Sequence, residues 1–151
     1  MRRLYFAAPL FSAAELAFNE RLAGLIEGRG ISVFLPQRDG VDRSAPPYDA
    51  MSETAIAEAI FTQDRNAVLA CDLFLFVLDG RVPDEGAAVE LGIAHMGRRT
   101  TGRPAALLGL MTDVRGGYRE GPLNPMLSAP LDMIFTEEAD LLRHLAERHA
   151  P

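Results

Sequence analysis

The sequence predicts a doubly wound α/β fold, in which helices cover both faces of an open sheet of about five mostly parallel strands. Two observations carry this prediction. Short apolar runs alternate along the chain with longer segments in which apolar residues recur at helical spacing. Clusters of Gly, Pro, Asp and Ser separate these segments. Strands that alternate with helices in this way form a parallel sheet.

Five apolar runs are predicted to be the strands. The run at residues 73–78 is apolar throughout, as expected for a central strand that is buried on both faces. The run at residues 31–35 is rich in apolar residues, includes β-branched ones and is closed by Pro36, whereas the last run is the weakest. The predicted strands are residues 4–8, 31–35, 73–78, 105–110 and 133–135.

Four segments have the spacing of amphipathic helices. Ser12 and Glu15 form the Ser-x-x-Glu pattern of a capping box, so the first helix should begin there and end at Gly28 or Gly30. The other predicted helices are residues 51–70, broken near Ile60; residues 86–96, with Gly97 as their stop; and residues 136–149, capped by Thr136.

Two long segments, residues 37–48 and 112–130, lack periodicity and are predicted to be loops of functional length. The order of elements, with a helix after nearly every strand, is that of a flavodoxin-like sheet. In such sheets the ligand crevice lies beyond the carboxyl ends of the strands. Residues that closely follow a strand are therefore the first candidates for a site.

Length and charge limit the classes of function. The 151 residues fit one domain spanning 1–151. The 15 basic and 21 acidic residues give a net charge of -6, which disfavours a DNA or RNA partner. A lone cysteine, Cys71, excludes an intrachain disulfide framework and is typical of a reducing cytoplasm, where we expect this protein. No apolar stretch has the length of a membrane span, so we expect no membrane partner.

Three acidic residues surround the third predicted strand: Asp64 before it, Asp84 in the loop after it and Glu90 in the next helix. The neighbours of Glu90 are Ala, Val, Leu, Gly and Ile, so its carboxylate should be partly desolvated. Desolvation raises the pKa of a carboxyl group, while the nearby helix N-terminus favours the ionised form. An ionised, poorly solvated carboxylate is a good nucleophile. Gly86 lacks a side chain and would let a ligand approach.

Each of these acidic residues also has a structural explanation. Glu90 could be exposed or paired with an arginine, Asp64 could lie on a solvated helix face beside Arg65, and Asp84 could be an N-cap. Taken singly, the first two explanations are the better ones. Together, around one strand-to-helix junction, the three residues indicate a site.

Four motifs, in order along the chain, resemble those of the nucleoside 2-deoxyribosyltransferase family. The resemblance covers nearly the whole chain, and the ordered set is more specific than any single motif. The motifs are Tyr5-Phe6-Ala7-Ala8-Pro9-Leu10-Phe11, Ile60-Phe61-x-x-Asp64, Asp84-x-Gly86-x-x-x-Glu90-Leu91-Gly92-x-Ala94 and Asn124-Pro125-Met126.

The resemblance implies catalytic roles for three residues. Glu90 would attack the anomeric carbon of a 2'-deoxynucleoside and form a covalent deoxyribosyl ester, with Tyr5 holding the carboxylate in place. Asp64 would protonate the departing base and deprotonate the incoming one. In retaining chemistry of this kind the two carboxyl groups lie about 5 to 5.5 Å apart. The scheme requires no metal and no other cofactor.

The resemblance also implies a set of substrate-binding residues. Asp84 would bind the sugar hydroxyls, and Gln37 the edge of the nucleobase. Asn124 would reach into a neighbouring subunit's site to bind the 5'-hydroxyl, which implies a homo-oligomer. Beside these we expect Met126, Phe11 and Gly86 to line the site, with Phe11 as a pocket wall or a stacking surface. The partners are thus 2'-deoxynucleosides and free nucleobases.

Two other functions stay open. A related enzyme that hydrolyses 2'-deoxynucleoside 5'-monophosphates would need a first loop with Ser, Arg and Gly to bind phosphate, and residues 7–11 offer no cation. A non-catalytic nucleotide-sensing module could use the same crevice. Binding alone, however, gives no reason to crowd carboxylates around an uncharged sugar.

Overall fold

The five predicted strands form one sheet in which each neighbouring pair is parallel. This computed structural model describes residues 1–113 and 123–147. The strand order is β2-β1-β3-β4-β5, so the direction of winding reverses between β1 and β3, and the predicted doubly wound fold is confirmed. The strands are β1 (Arg3–Ala7), β2 (Ser32–Phe34), β3 (Leu73–Val77), β4 (Ala106–Leu110) and β5 (Met133–Phe135).

The helices cover the two faces of this sheet. α1 and α6 pack on one face, and α3 and α4 pack against each other on the other face. No helix in the described ranges combines the length and apolar character needed to cross a membrane. The helices are α1 (Ala13–Glu27), α2 (Pro36–Asp39), α3 (Glu53–Ala70), α4 (Glu85–Thr101), α5 (Pro125–Ser128) and α6 (Glu138–Glu147).

The start of α1 follows the sequence prediction. The Ser12 hydroxyl accepts a hydrogen bond from the Glu15 backbone N–H at 3.2 Å, and the Glu15 carboxylate accepts one from the Ser12 backbone N–H at 2.7 Å. This is the reciprocal pairing of a capping box. The helix also ends as predicted, with Gly28 at its C-cap.

The predicted break in α3 and the predicted end of α4 are wrong. α3 continues through Ile60, because residues 53–70 contain no Gly or Pro and include many good helix formers. α4 continues through Gly97 and ends at Gly102, whose φ of 77° is readily adopted only by glycine. Gly97 is instead a packing residue, since a Cβ there would lie 2.9 Å from a methyl carbon of Leu69 on α3. The missing side chain lets α3 and α4 approach closely.

The two predicted loops contain short helical turns. Residues 37–48 overlap α2, with Pro36 at its start, and end at a 3₁₀ turn, Tyr48–Ala50. The segment at residues 112–130 includes α5, and its residues 114–122 lie outside the described residues. α6 begins at Glu138, so the prediction that Thr136 caps this helix is wrong. The end predicted near residue 149 lies outside the described residues.

Candidate active site

Three aromatic rings lie side by side across the middle of the sheet. Tyr5 on β1 pairs in register with Phe34 on β2 and with Phe74 on β3. Side chains in register on parallel strands point to the same face, and the Tyr5 ring stacks on both neighbours at centroid distances of 5.5 and 5.8 Å. The stack fully buries Tyr5 and restricts its ring to one orientation.

The Tyr5 hydroxyl donates a hydrogen bond to the carboxylate of Glu90, with 2.7 Å between the two oxygens. Glu90 lies on α4, the helix that follows β3. Burial, and then the nearby charge of Glu90, raise the pKa of Tyr5. The hydroxyl therefore keeps its proton over the physiological pH range and acts as a fixed donor to the carboxylate.

Glu90 is a carboxyl group whose ionisation is finely balanced. Burial is the main cause that raises its pKa to about 7; the hydrogen bond from Tyr5 lowers it, and the charges of Asp64 and Asp84 add to the rise. Near neutral pH a substantial fraction is thus ionised while poorly solvated. A carboxylate in that state is a competent nucleophile.

Asp64 faces the same region from α3, which packs along α4. Its side chain is half-buried, and this burial raises its pKa to about 6. A carboxyl group with a pKa near the working pH can both give and take a proton, which is the requirement for general acid and base catalysis. Asp64 and Glu90 together supply the two carboxyl groups that double displacement at an anomeric carbon needs.

Asp84 is the N-cap of α4, where its carboxylate accepts a hydrogen bond from the Ala87 backbone N–H at 2.7 Å. The structural role considered for Asp84 therefore holds. The same carboxylate lies close enough to Glu90 to raise its pKa. Gly86 follows, and a Cβ there would lie 3.1 Å from the Asp84 carboxylate, so a side chain would crowd this group.

A cleft of about 420 Å³ opens between α3 and α4. Its volume is within the range of small-molecule sites, about 300 to 1,000 Å³. Its walls are mostly apolar, with two carboxyl groups and one guanidinium group among them. The lining residues are Ala57, Ile60, Phe61, Asp64, Arg65, Gly86, Val89, Glu90 and Ile93.

A second depression, of about 500 Å³, lies at the carboxyl ends of β1 and β3, which is the switch point of the sheet. Asp84 and Glu85 line this depression, and Gly86, the next residue in the chain, lines the first cleft. The two depressions therefore adjoin near the start of α4. Four carboxylates and one guanidinium group line it. Its residues are Pro9, Phe11, Glu15, Asp79, Gly80, Arg81, Val82, Asp84 and Glu85.

Gln37 does not line the cleft that holds Glu90. Its amide oxygen accepts a hydrogen bond from Asn19 at 3.0 Å, and its amide nitrogen donates one to the Leu16 carbonyl at 2.9 Å. Asn19 is buried and also donates to the Pro9 carbonyl at 2.9 Å. This network ties the segments that follow β1 and β2 to α1. Contact of Gln37 with a nucleobase would require it to exchange these bonds.

Phe11, Asn124 and Met126 are exposed, and none of them lines the cleft between α3 and α4. The Asn124 side chain caps α5 by accepting a hydrogen bond from the Met126 backbone N–H at 2.9 Å. The side chains of Phe11 and Met126 are each 79% exposed. Large apolar side chains this exposed are available to a ligand or a neighbouring chain.

The sequence analysis missed three residues that shape the site. Phe34 and Phe74 hold the Tyr5 ring, and Arg65, considered there only as a neighbour of Asp64 on a solvated face, lines the cleft. Strand register would have identified the phenylalanines, but register is not readable from the individual strands. Helical spacing could have identified Arg65, because residues 57, 61, 64 and 65 share a face of α3. In the described parts of the chain, no group of three or more His, Cys, Asp or Glu residues is arranged to hold a metal ion.

A family model and several solved structures match most of this chain. The family model described as nucleoside 2-deoxyribosyltransferase matches residues 4–126. A solved structure of a conserved protein from Enterococcus faecalis V583 is similar, with a TM-score of 0.72 and 27% identity, covering 98% of this chain and 99% of that chain. No curated protein sequence matches the chain significantly.

Two solved enzymes share the fold at lower identity. A 2-deoxyribosyltransferase from Bacillus psychrosaccharolyticus has a TM-score of 0.73 and 17% identity, covering 93% of this chain and 90% of its own. A CMP N-glycosidase from Clostridium botulinum has a TM-score of 0.53 and 18% identity, covering 95% of this chain and 98% of its own. At these identities the similarities are evidence for the fold.

We expect Glu90→Gln to stabilise the protein at about pH 8 and to leave its stability nearly unchanged at about pH 4. The pKa of Glu90 rises from 4.5 to about 7 on folding, so the folded chain binds more protons between these values and wild-type stability falls as pH rises through them. Glutamine removes that loss of stability, roughly 3 kcal/mol for a pKa that rises from 4.5 to about 7. Urea unfolding at several pH values measures it. Glu85→Gln, on an exposed position of α4, is the control. If Glu90→Gln changed the free energy of unfolding equally at every pH, the claim that folding raises the pKa of Glu90 would be contradicted.

We expect Tyr5→Phe to raise the pKa of Glu90 further, because the hydroxyl that stabilises the ionised carboxylate is lost while the burial remains. The pKa can be followed by ¹³C NMR of the labelled Glu90 carboxyl group. Tyr48→Phe, in the 3₁₀ turn, is the matched control and should leave the titration unchanged. If Tyr5→Phe also leaves it unchanged, the hydrogen bond does not set the ionisation of Glu90.

Proposed function

The chain belongs to the nucleoside 2-deoxyribosyltransferase family, and we propose that it transfers a 2-deoxyribosyl group between nucleobases through a covalent ester on Glu90. One observation carries this proposal most directly. A partly buried carboxylate, fixed by the Tyr5 hydroxyl at 2.7 Å, shares an apolar cleft with a second carboxyl group, Asp64, whose pKa is raised to about 6. This is the pair of groups that a retaining double displacement uses.

In the first step, a Glu90 carboxylate oxygen forms a bond to C1' of the deoxynucleoside while the bond from C1' to the base nitrogen breaks. This step uses the form with Glu90 ionised and Asp64 protonated, which is the less populated of the two singly protonated forms because the pKa of Asp64, about 6, lies below that of Glu90, about 7. The electron pair of that bond leaves with the base, and protonated Asp64 transfers its proton to a ring nitrogen, which makes the base a better leaving group. The products are a deoxyribosyl ester on Glu90, a neutral free base and the Asp64 carboxylate.

In the second step, a ring nitrogen of the incoming base attacks C1' from the opposite side of the ester. Asp64 accepts the proton that this nitrogen loses, and the Glu90 carboxylate departs with its electron pair. Both carboxyl groups return to their starting states, and two inversions give net retention. Water attack would give hydrolysis instead, so transfer requires that the second base cover the ester before water reaches it; the apolar side chains of Ile60, Phe61 and Val89 offer water no hydrogen-bonding partners in the cleft.

The charges near the start of α4 favour a neutral nucleoside over a 5'-monophosphate. The depression beside Asp84 is lined by Glu15, Asp79, Asp84 and Glu85, against the single cation Arg81. A phosphate group placed there would be repelled by most of the nearby charges. This observation makes the nucleoside 5'-monophosphate N-glycosidase the weaker candidate. The sensing module is weaker too, since binding an uncharged sugar does not require two carboxyl groups held with raised pKa values.

We assign Asp84 to the sugar hydroxyls, with Gly86 leaving room for the ligand beside it. Gln37 would contact the nucleobase edge after exchanging its bonds to Asn19 and Leu16, and Phe11 would form a wall of the site.

Asn124 and Met126 would act in the site of a neighbouring subunit, because neither lines the cleft of its own chain and both are exposed. The enzyme would then be a homo-oligomer with shared sites. We place it in the cytoplasm, in recycling of deoxynucleosides and free bases.

Transfer can be tested by incubating the protein with 2'-deoxyadenosine and hypoxanthine and following 2'-deoxyinosine by chromatography. We expect 2'-deoxyinosine to form, and we expect 2'-deoxyadenosine 5'-monophosphate to be cleaved at least about 100-fold more slowly because of the acidic depression. Glu90→Ala is the inactive control. Faster cleavage of the monophosphate, or hydrolysis of 2'-deoxyadenosine without transfer by folded protein, would favour the hydrolase instead.

Shared sites can be tested by mixing two inactive variants. Asn124→Ala removes the side chain given to the neighbour, and Glu90→Ala removes the nucleophile, so mixed oligomers would contain some sites with both groups intact. We expect mixing, after dissociation and reassembly, to restore part of the wild-type activity. If Asn124→Ala alone is fully active, or if mixing restores nothing, each chain carries its own complete site.

A further inference from the structure

We propose that Arg65 selects the nucleobase, favouring purines with a carbonyl oxygen at position 6, such as hypoxanthine, over adenine, which has an amino group there. The inference rests on the proposed function and extends it to the choice of substrate. It starts from the chemistry of the cleft, whose polar side chains are Asp64, Glu90 and Arg65. The two carboxyl groups are committed to catalysis, which leaves Arg65 to recognise the edge of the base.

The guanidinium group of Arg65 is placed by stacking. It lies over the ring of Phe61, 5.7 Å from the ring centroid, on the same face of α3 as Asp64. Phe61 also lines the cleft, so the cation and the ring form one continuous wall. Arg65 can therefore present hydrogen-bond donors to a base whose ring nitrogen reaches Asp64.

The donors of Arg65 are largely available. Its hydrogen bonds in the structure go to the Asn66 side-chain oxygen, at 3.4 and 3.2 Å, longer than most such bonds. Across residues 1–113 and 123–147, the ion pairs of the structure do not include Arg65. A guanidinium group has five N–H donors and no acceptor. Most of these donors can therefore be given to a ligand.

The discrimination follows from donors and acceptors. The O6 atom of hypoxanthine or guanine is an acceptor, and arginine is the side chain that most often binds it. The amino group of adenine offers donors at the same position, so its N–H groups and those of Arg65 would face each other without an acceptor between them. A site that leaves such groups unpaired accepts the wrong substrate less readily.

The experiment measures exchange of each labelled base into its own deoxynucleoside, hypoxanthine into 2'-deoxyinosine and adenine into 2'-deoxyadenosine. We expect wild-type kcat/KM to be higher for the hypoxanthine pair. Arg65→Met keeps an unbranched side chain over Phe61 without donors and should lower kcat/KM for hypoxanthine about 10- to 100-fold. Exchange of adenine should stay the same or rise, since it loses no hydrogen bond and the donors that faced its amino group unpaired are gone.

Arg99→Met, an exposed arginine in the last turn of α4, is the control and should leave both values unchanged. An equal effect of Arg65→Met on both bases, or no effect on either, would overturn the role of Arg65.

Binding of free hypoxanthine and adenine is measured by calorimetry on the same variants. If wild-type protein exchanges no base, the proposed transfer fails, and the binding data decide the inference: a loss of affinity for hypoxanthine alone supports it, and equal affinities overturn it.

Discussion

The hydrogen bond from Tyr5 to Glu90 is the interaction on which the rest of the site depends. Burial beside apolar residues of α4 favours the protonated form of Glu90, and two neighbouring carboxylates favour it further. The Tyr5 hydroxyl opposes these effects by stabilising the ionised form. The result is a carboxylate that is ionised in part near neutral pH, held in one direction and poorly solvated. Each of these properties increases its reactivity toward an electrophilic carbon.

The fold supplies this hydrogen bond through the register of three strands. Tyr5 stacks between Phe34 and Phe74 because β1 pairs with both β2 and β3 at the switch point of the sheet. The crossover after β3 then brings α4 over the same face. On the other side of the cleft, Gly97 lets α3 approach α4, which brings Asp64 toward Glu90. Side chains from β1, α3 and α4 thus meet through backbone packing, and the charge of Asp64 raises the pKa of Glu90.

The order and type of the elements could be predicted from the sequence, because apolar periodicity and turn residues are local signals. Helix ends were harder to predict, because a glycine can either end a helix or allow close packing within it. Gly97 was predicted to end α4, but it lies inside the helix and allows close packing against Leu69. The acidic residues were identified as candidates from their position around one strand-to-helix junction. The Phe34 and Phe74 stack and the place of Arg65 depend on register and on the packing of α3 against α4, which the sequence of one segment does not encode. Gln37 shows the same limit, since its bonds to Asn19 and Leu16 are contacts between distant segments.

The central claim is that Glu90 is the group that bonds to the sugar. It is tested most directly by brief exposure of the protein to a 2'-deoxy-2'-fluoro nucleoside, in which fluorine slows breakdown of a sugar ester, followed by intact mass spectrometry and peptide mapping. The account predicts an added mass of one fluorinated sugar, located on Glu90 and absent from Tyr5→Phe protein at a pH where its carboxyl group is protonated. An adduct on another residue, or release of free base with no adduct at any time, would contradict it.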